Sequence, residues 1–60
     1  MYNVTLYDKF NTKKIKSISN ESKIQIENIF DVWLKDDACS GETLAMYKGE
    51  VCIKSIIIKK

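Results

Sequence analysis

Ile26, Ile29, Phe30, Trp33 and Leu34 fall at i, i+3, i+4, i+7 and i+8 of "IQIENIFDVWL", which lines them along one side of an α-helix and along neither side of a strand. The rest of the chain repeats no such stripe. One amphipathic helix cannot bury its apolar side alone, so this one needs a sheet or another chain to cover it. Ser22, with Gln25 three positions on, fits a capping box, and Asn20 competes as N-cap. Glu21 and Glu27 sit toward the positive end of the helix dipole. Asp36 and Asp37 lie at its negative end, so the helix is expected to stop there, before "ACSG".

The segments around the helix read as two β-hairpins. In the second, "ETLAMY" and "EVCIKSIII" flank Lys48-Gly49, whose glycine suits a two-residue turn. That loop sets Met46 against Val51 and Leu44 against Ile53, and places Ala45, Tyr47, Cys52 and Lys54 on the other face. In the first, "YNVTLYDKF" and "KKIKSIS" surround a three-residue loop, Asn11 to Lys13, pairing Leu6 with Ile18 and Asp8 with Lys16. The four letters "IKSI" occur in both return strands, at 15–18 and 53–56. Alternating isoleucine and polar residues are what any half-buried strand uses, so the repeat is read as strand patterning in a Lys- and Ile-rich chain.

The fold predicted is α+β, a single ββαββ domain over residues 1–60. It has a four-stranded antiparallel sheet of two hairpins with one helix packed on one face, and the strand order is left open. The expected core is Val4, Leu6, Ile18, Ile26, Ile29, Phe30, Trp33, Leu34, Leu44, Met46, Val51, Ile53 and Ile57. A chain of 60 residues buries only about 60% of its unfolded surface, which leaves little material for a walled cleft.

Composition narrows the chemistry. There is no histidine, and the most nucleophile-like residue, Cys39, lies among Asp36, Asp37 and Glu42, whose charges disfavour a thiolate. "DDACSGE" lacks the alternating oxygen ligands of a calcium loop, and two glycines do not make a phosphate-cradling loop. The expectation is therefore no enzyme, no metal and no cofactor. Two well-separated cysteines read as reduced thiols, and no apolar run approaches a membrane span. The chain accordingly reads as a complete cytoplasmic open reading frame with no membrane partner. All ten basic residues are lysine, and abundant Lys, Ile and Asn without Arg, His or Pro is the usage of an AT-rich genome, as in low-GC bacteria and their phages.

Two functional expectations follow. The first is a phage-like or mobile-element accessory protein that binds and modulates, as an inhibitor would, a larger host or phage protein, and that forms a homodimer. If Ile53 and Ile57 face the helix, Ile56 and Ile58 face away, onto an uncovered sheet face with Tyr7 and Tyr47. Tyr7, Tyr47, Ile56 and Ile58 are then the partner-binding residues. The alternative is non-specific nucleic-acid binding by Lys9, Lys14, Lys16 and Lys54, with Lys13, Lys59 and Lys60 nearby and the two tyrosines as stacking platforms. Eight interspersed carboxylates and the absence of arginine weigh against it.

Overall fold

A computed structural model describes residues 1–10 and 12–59; Asn11, placed above in the first turn, and Lys60, among the lysines, lie outside the described residues. The elements run β1 (Tyr2–Tyr7), β2 (Lys14–Asn20), α1 (Lys23–Val32), a π-helical turn (Trp33–Asp37), β3 (Thr43–Lys48) and β4 (Val51–Ile57). The sheet is antiparallel throughout in the order β2-β1-β3-β4, so the hairpins join through their first strands and the return strands form the two edges. This is the expected ββαββ architecture. No helix among the described residues is long and apolar enough to cross a membrane.

The helix starts where the capping residues put it. The Ser22 hydroxyl accepts the Gln25 N–H at 3.4 Å, and the Asn20 side-chain oxygen accepts the Ser22 N–H at 2.7 Å, so both candidate caps are used in series. The regular helix ends at Val32. The chain then widens, with the Ala38 N–H bonding the Trp33 carbonyl five residues back at 2.8 Å. The widened turn keeps Trp33 and Leu34 half-buried and lets Asp37 reach Lys16 on β2, at 2.7 Å. The Lys16 ammonium also lies 4.4 Å from the centre of the Trp33 ring. One of the two ill-placed carboxylates at the helix end thereby acquires a cation.

The core gathers Val4, Leu6, Ile26, Phe30, Leu44 and Met46 as expected, and adds Ala38 and Ile58. Tyr2, Ile29, Trp33 and Leu34 pack around it. Both hairpin registers differ from the sequence reading. In the first, Val4 faces Ile18, Leu6 faces Lys16 and Tyr7 faces Lys14, with Ile15 as a bulge. The cause is Asp8. Its carboxylate accepts the N–H groups of Phe10 at 3.2 Å and Thr12 at 2.9 Å, while its own N–H bonds the Lys13 carbonyl at 3.0 Å. Asp8 is thus a loop residue and cannot pair with Lys16. Ile18 does face the helix side, but β2 is an edge strand and leaves it 40% exposed.

In the second hairpin the turn is Gly49-Glu50, with Lys48 opposite Val51. β1 holds Lys48 in the sheet opposite Tyr2, and the Gly49 N–H bonds the Met1 carbonyl at 2.9 Å, which moves the turn one residue along. Ile53 is then an extra residue: Tyr47 faces Cys52 but Met46 faces Lys54. A bulge exchanges the faces of everything after it. Lys54 and Ile56 therefore point to the helix side and Ser55 and Ile57 to the open side, the reverse of the expected phase. Val51, Ile53 and Ile57 leave the expected core and are exposed; Ile58 enters it, 2% exposed.

Candidate functional site

The sheet face away from the helix is formed by alternate residues of all four strands: Asn3, Thr5 and Tyr7 of β1, Thr43, Ala45 and Tyr47 of β3, Lys14, Ser17 and Ser19 of β2, and Cys52, Ser55 and Ile57 of β4. At its centre Thr5 faces Ala45. Tyr7 lies two positions along β1 in one direction, and Tyr47 two positions along β3 in the other. Their hydroxyls meet at 2.9 Å, so the side chains lean toward each other across the Thr5–Ala45 pair. Thr5 and Ala45, although on the uncovered face, are each only 2% exposed. Two half-buried phenols thus roof the middle of the sheet.

Beside this roof a polar ladder runs across to β2. The Asn3 amide nitrogen donates to the hydroxyls of Ser17 and Ser19, both at 2.9 Å. The Thr5 hydroxyl donates to the Asn3 side-chain oxygen and lies 3.1 Å from the Ser17 hydroxyl. Every buried side-chain nitrogen or oxygen among the described residues has a partner. A shallow groove of about 500 Å³ crosses this surface, lined by Asn3, Thr5, Tyr7, Lys14, Ser19 and Tyr47 among others. Its chemistry is phenol, amide, hydroxyl and one amine: groups that donate and accept hydrogen bonds around flat apolar rings. The bond to Tyr7 is the main reason the Tyr47 hydroxyl is pushed up to about 12, with desolvation adding to it.

Of the expected partner-binding residues, this face brings together Tyr7 and Tyr47 only. Ile56 lies on the helix side of β4, and Ile58 is in the core, because the bulge at Ile53 reverses their phase. The face expected to be apolar is therefore mostly hydroxyl and amide. Among the lysines, Lys14 is on it. Lys16 is bound to Asp37 and Trp33 on the helix side, Lys54 lies 4.6 Å from the Phe30 ring centre on that side, and Lys9 sits in the first loop, 5.3 Å from the Phe10 ring. The four do not share a surface. Asn3, Thr5, Ser17 and Ser19 were missed as site residues, although "NVT" and "SIS" place small polar side chains in phase with Tyr7. Cys39 is exposed in the loop after the π turn, where its N–H bonds a Glu42 carboxylate oxygen at 2.6 Å, and Cys52 is exposed and free on β4.

Comparison of the chain with protein-family models, with curated protein sequences and with solved structures finds no match.

Proposed function

We propose that the protein is a small interaction module that binds a larger protein through the open face of its sheet and modulates that partner by occupying its surface. The observation that carries this reading is the Tyr7–Tyr47 hydroxyl contact, 2.9 Å long, over the sealed Thr5–Ala45 pair. Binding costs the entropy of fixing side chains, and here the two largest side chains of the face already hold each other in place. Tyrosine flanked by serine, threonine and asparagine is also the composition of protein-binding paratopes, where aromatic rings supply area and small polar groups adapt to the partner. The interface implied is polar and wet rather than greasy.

The nucleic-acid alternative gains nothing from the placement of the lysines, since Lys16 and Lys54 are engaged on the helix side and only Lys14 of the four reaches this face. The Lys- and Ile-rich, Arg-free composition fits an accessory protein of a phage or mobile element, and two free thiols fit a reducing cytoplasm.

Affinity capture from a lysate of the source organism tests the proposal, comparing the parent chain with Tyr47→Ala, Tyr7→Ala and a control, Ile24→Ser, on the exposed side of the helix. A protein retained by the parent and the control but bound roughly thirtyfold more weakly by the tyrosine variants is the expected result. Capture indifferent to both tyrosines, or recovery of nucleic acid that is lost with modest salt, would overturn it.

A further inference from the structure

The two edges of the sheet are not equally guarded. β2 carries Lys14 and Lys16 and a bulge at Ile15, which are devices that discourage another strand from adding. β4 carries its bulge at Ile53 and its one lysine at position 54, the midpoint of the strand. Beyond them Ser55, Ile56 and Ile57 run uncharged and exposed, Ile56 at 42% and Ile57 at 61%. The backbone of this stretch is oriented by Ile58, whose N–H bonds the Glu42 carbonyl at 2.7 Å and whose carbonyl accepts the Gly41 N–H at 2.8 Å. In an antiparallel strand inward- and outward-bonding residues alternate. Ile56 therefore bonds inward as well, and the N–H and C=O of Ser55 and Ile57 point outward.

We propose that this segment pairs with the same segment of a second copy, antiparallel, about a two-fold axis at Ile56. Charge rules out the registers nearer the bulge. Centring on Lys54 sets two ammonium groups opposite each other, and centring on Ser55 leaves them diagonal neighbours about 7–8 Å apart on one face. Centring on Ile56 separates them by four positions, about 14 Å along the strands, beyond the screening length at physiological salt. Ser55 of each copy then exchanges both backbone bonds with Ile57 of the other, and the Ile56 side chains meet on the helix side. At this end of the edge a hollow of about 430 Å³ opens, lined by Leu34, Ile56, Ile57 and Ile58 with Lys59 beside them. A long strand from a different protein would collide with the bulge and Lys54. The two-fold needs only the unguarded half and uses it twice.

The interface is small, so the dimer is weak, with a dissociation constant in the micromolar range or above. Because the axis is perpendicular to the sheet, both helices lie on one side of a continuous eight-stranded sheet and both Tyr7–Tyr47 roofs on the other. This pairing uses the backbone edge of β4 and the helix-side Ile56, whereas the proposed binding face is centred on Tyr7 and Tyr47. Ser55 and Ile57 lie at the margin of that face, and the self-association of the purified chain is measured with no other protein present, so the two proposals fail separately.

Sedimentation over a concentration series should give a reversible monomer–dimer equilibrium. Ser55→Pro removes an outward N–H and no bond within the sheet, so it should weaken the dimer roughly tenfold or more while leaving circular dichroism unchanged. Ile57→Lys, which leaves the backbone intact, should do the same if the proline variant is poorly folded. With Cys39 and Cys52 replaced by serine, Ile56→Cys should cross-link across the axis under mild oxidation, since the Cα separation of such a pair fits a disulfide. Lys54→Cys should not. A chain that stays monomeric up to millimolar concentration, or that cross-links equally well through position 54, would overturn the proposal.

Discussion

Ile57 and Ile58 are neighbours in the chain and opposites in the fold: Ile57 faces Thr43 on the open side and is 61% exposed, whereas Ile58 lies under the helix side and is 2% exposed. Truncating them should separate them sharply. Ile58→Ala should cost about 2–4 kcal/mol, the usual penalty for a cavity at a buried isoleucine, and Ile57→Ala should stay within about 0.5 kcal/mol. Urea midpoints at a concentration where the chain is monomeric measure both. Equal costs, or a larger cost at Ile57, would mean that the bulge at Ile53 is not where the structure has it.

That bulge also marks where the sequence stops being legible. The helix, its cap at Ser22, the two hairpins and the inner residues of β1 and β3 could all be read from spacing, because a 3.6-residue stripe and a two-residue alternation are local properties of the chain. The strand order and the extra residue at Ile53 depend on how β1 pairs with β3, which is set by contacts across more than thirty positions, such as Tyr2 with Lys48, while the extra residue at Ile15 follows from the hydrogen bonds that draw Asp8 into the first loop. One unforeseen residue in β4 was enough to exchange Ile56, Ile57 and Ile58 between faces. Tyr7 and Tyr47 were legible as aromatics on the open face of the sheet, where the structure holds them half-buried. Their bond to each other was not, because it joins residues 40 apart.

The tyrosine pair makes stability fall in strong base. Tyrosine in the unfolded chain ionises near pH 10, and Tyr47 in the fold near 12, chiefly because of its bond to the Tyr7 hydroxyl. Between those values the unfolded chain has lost a proton that the folded chain keeps. The stabilisation is therefore complete below about pH 10 and disappears as the pH rises through about 12. Absorbance titration of tyrosinate should resolve one late-titrating phenol, and Tyr7→Phe should bring it back toward the ordinary value. The same variant should cost about 1 kcal/mol at neutral pH, the worth of one hydrogen bond. A late-titrating phenol that survives Tyr7→Phe would contradict the contact.

The first loop should loosen in acid. The Asp8 carboxyl is held below its ordinary value, first by the Thr12 backbone N–H; desolvation opposes this, and the Thr12 hydroxyl and the backbone N–H groups of Lys13 and Phe10 add to the lowering. A lowered carboxyl favours the fold above the unfolded value, about 3.9, and that contribution is lost as pH falls through the folded one. Asp8 is half-buried in a surface loop and bonds only to residues of that loop, so the change is local to it. The Thr12 amide resonance should shift with a midpoint below the ordinary aspartate range, and its protection against hydrogen exchange, relative to the intrinsic rate at each pH, should fall in the same window. Asp8→Ala should abolish the pH dependence of both. A midpoint at or above the ordinary value would exclude the turn described.

The two glycines differ in what they tolerate. Gly49 has φ of 60°, within the left-handed region, and a Cβ there would meet nothing within 4 Å. Asparagine, which visits that region readily, should replace it at a cost of about 1 kcal/mol or less. Gly41 has φ of 93°, outside that well, and a Cβ would come within 3.3 Å of the Lys9 Cβ in the first loop. Its N–H also bonds the carbonyl of Ile58, so a displaced Gly41 takes the buried isoleucine with it. Gly41→Ala should cost about 2 kcal/mol or more through strain and crowding together. Because Lys9 is the residue crowded, Lys9→Gly in the same chain should recover part of that loss while doing little for the parent. A double variant no more stable than Gly41→Ala would show that the cost is strain in the backbone alone, and that the first loop does not press against the entry to β3.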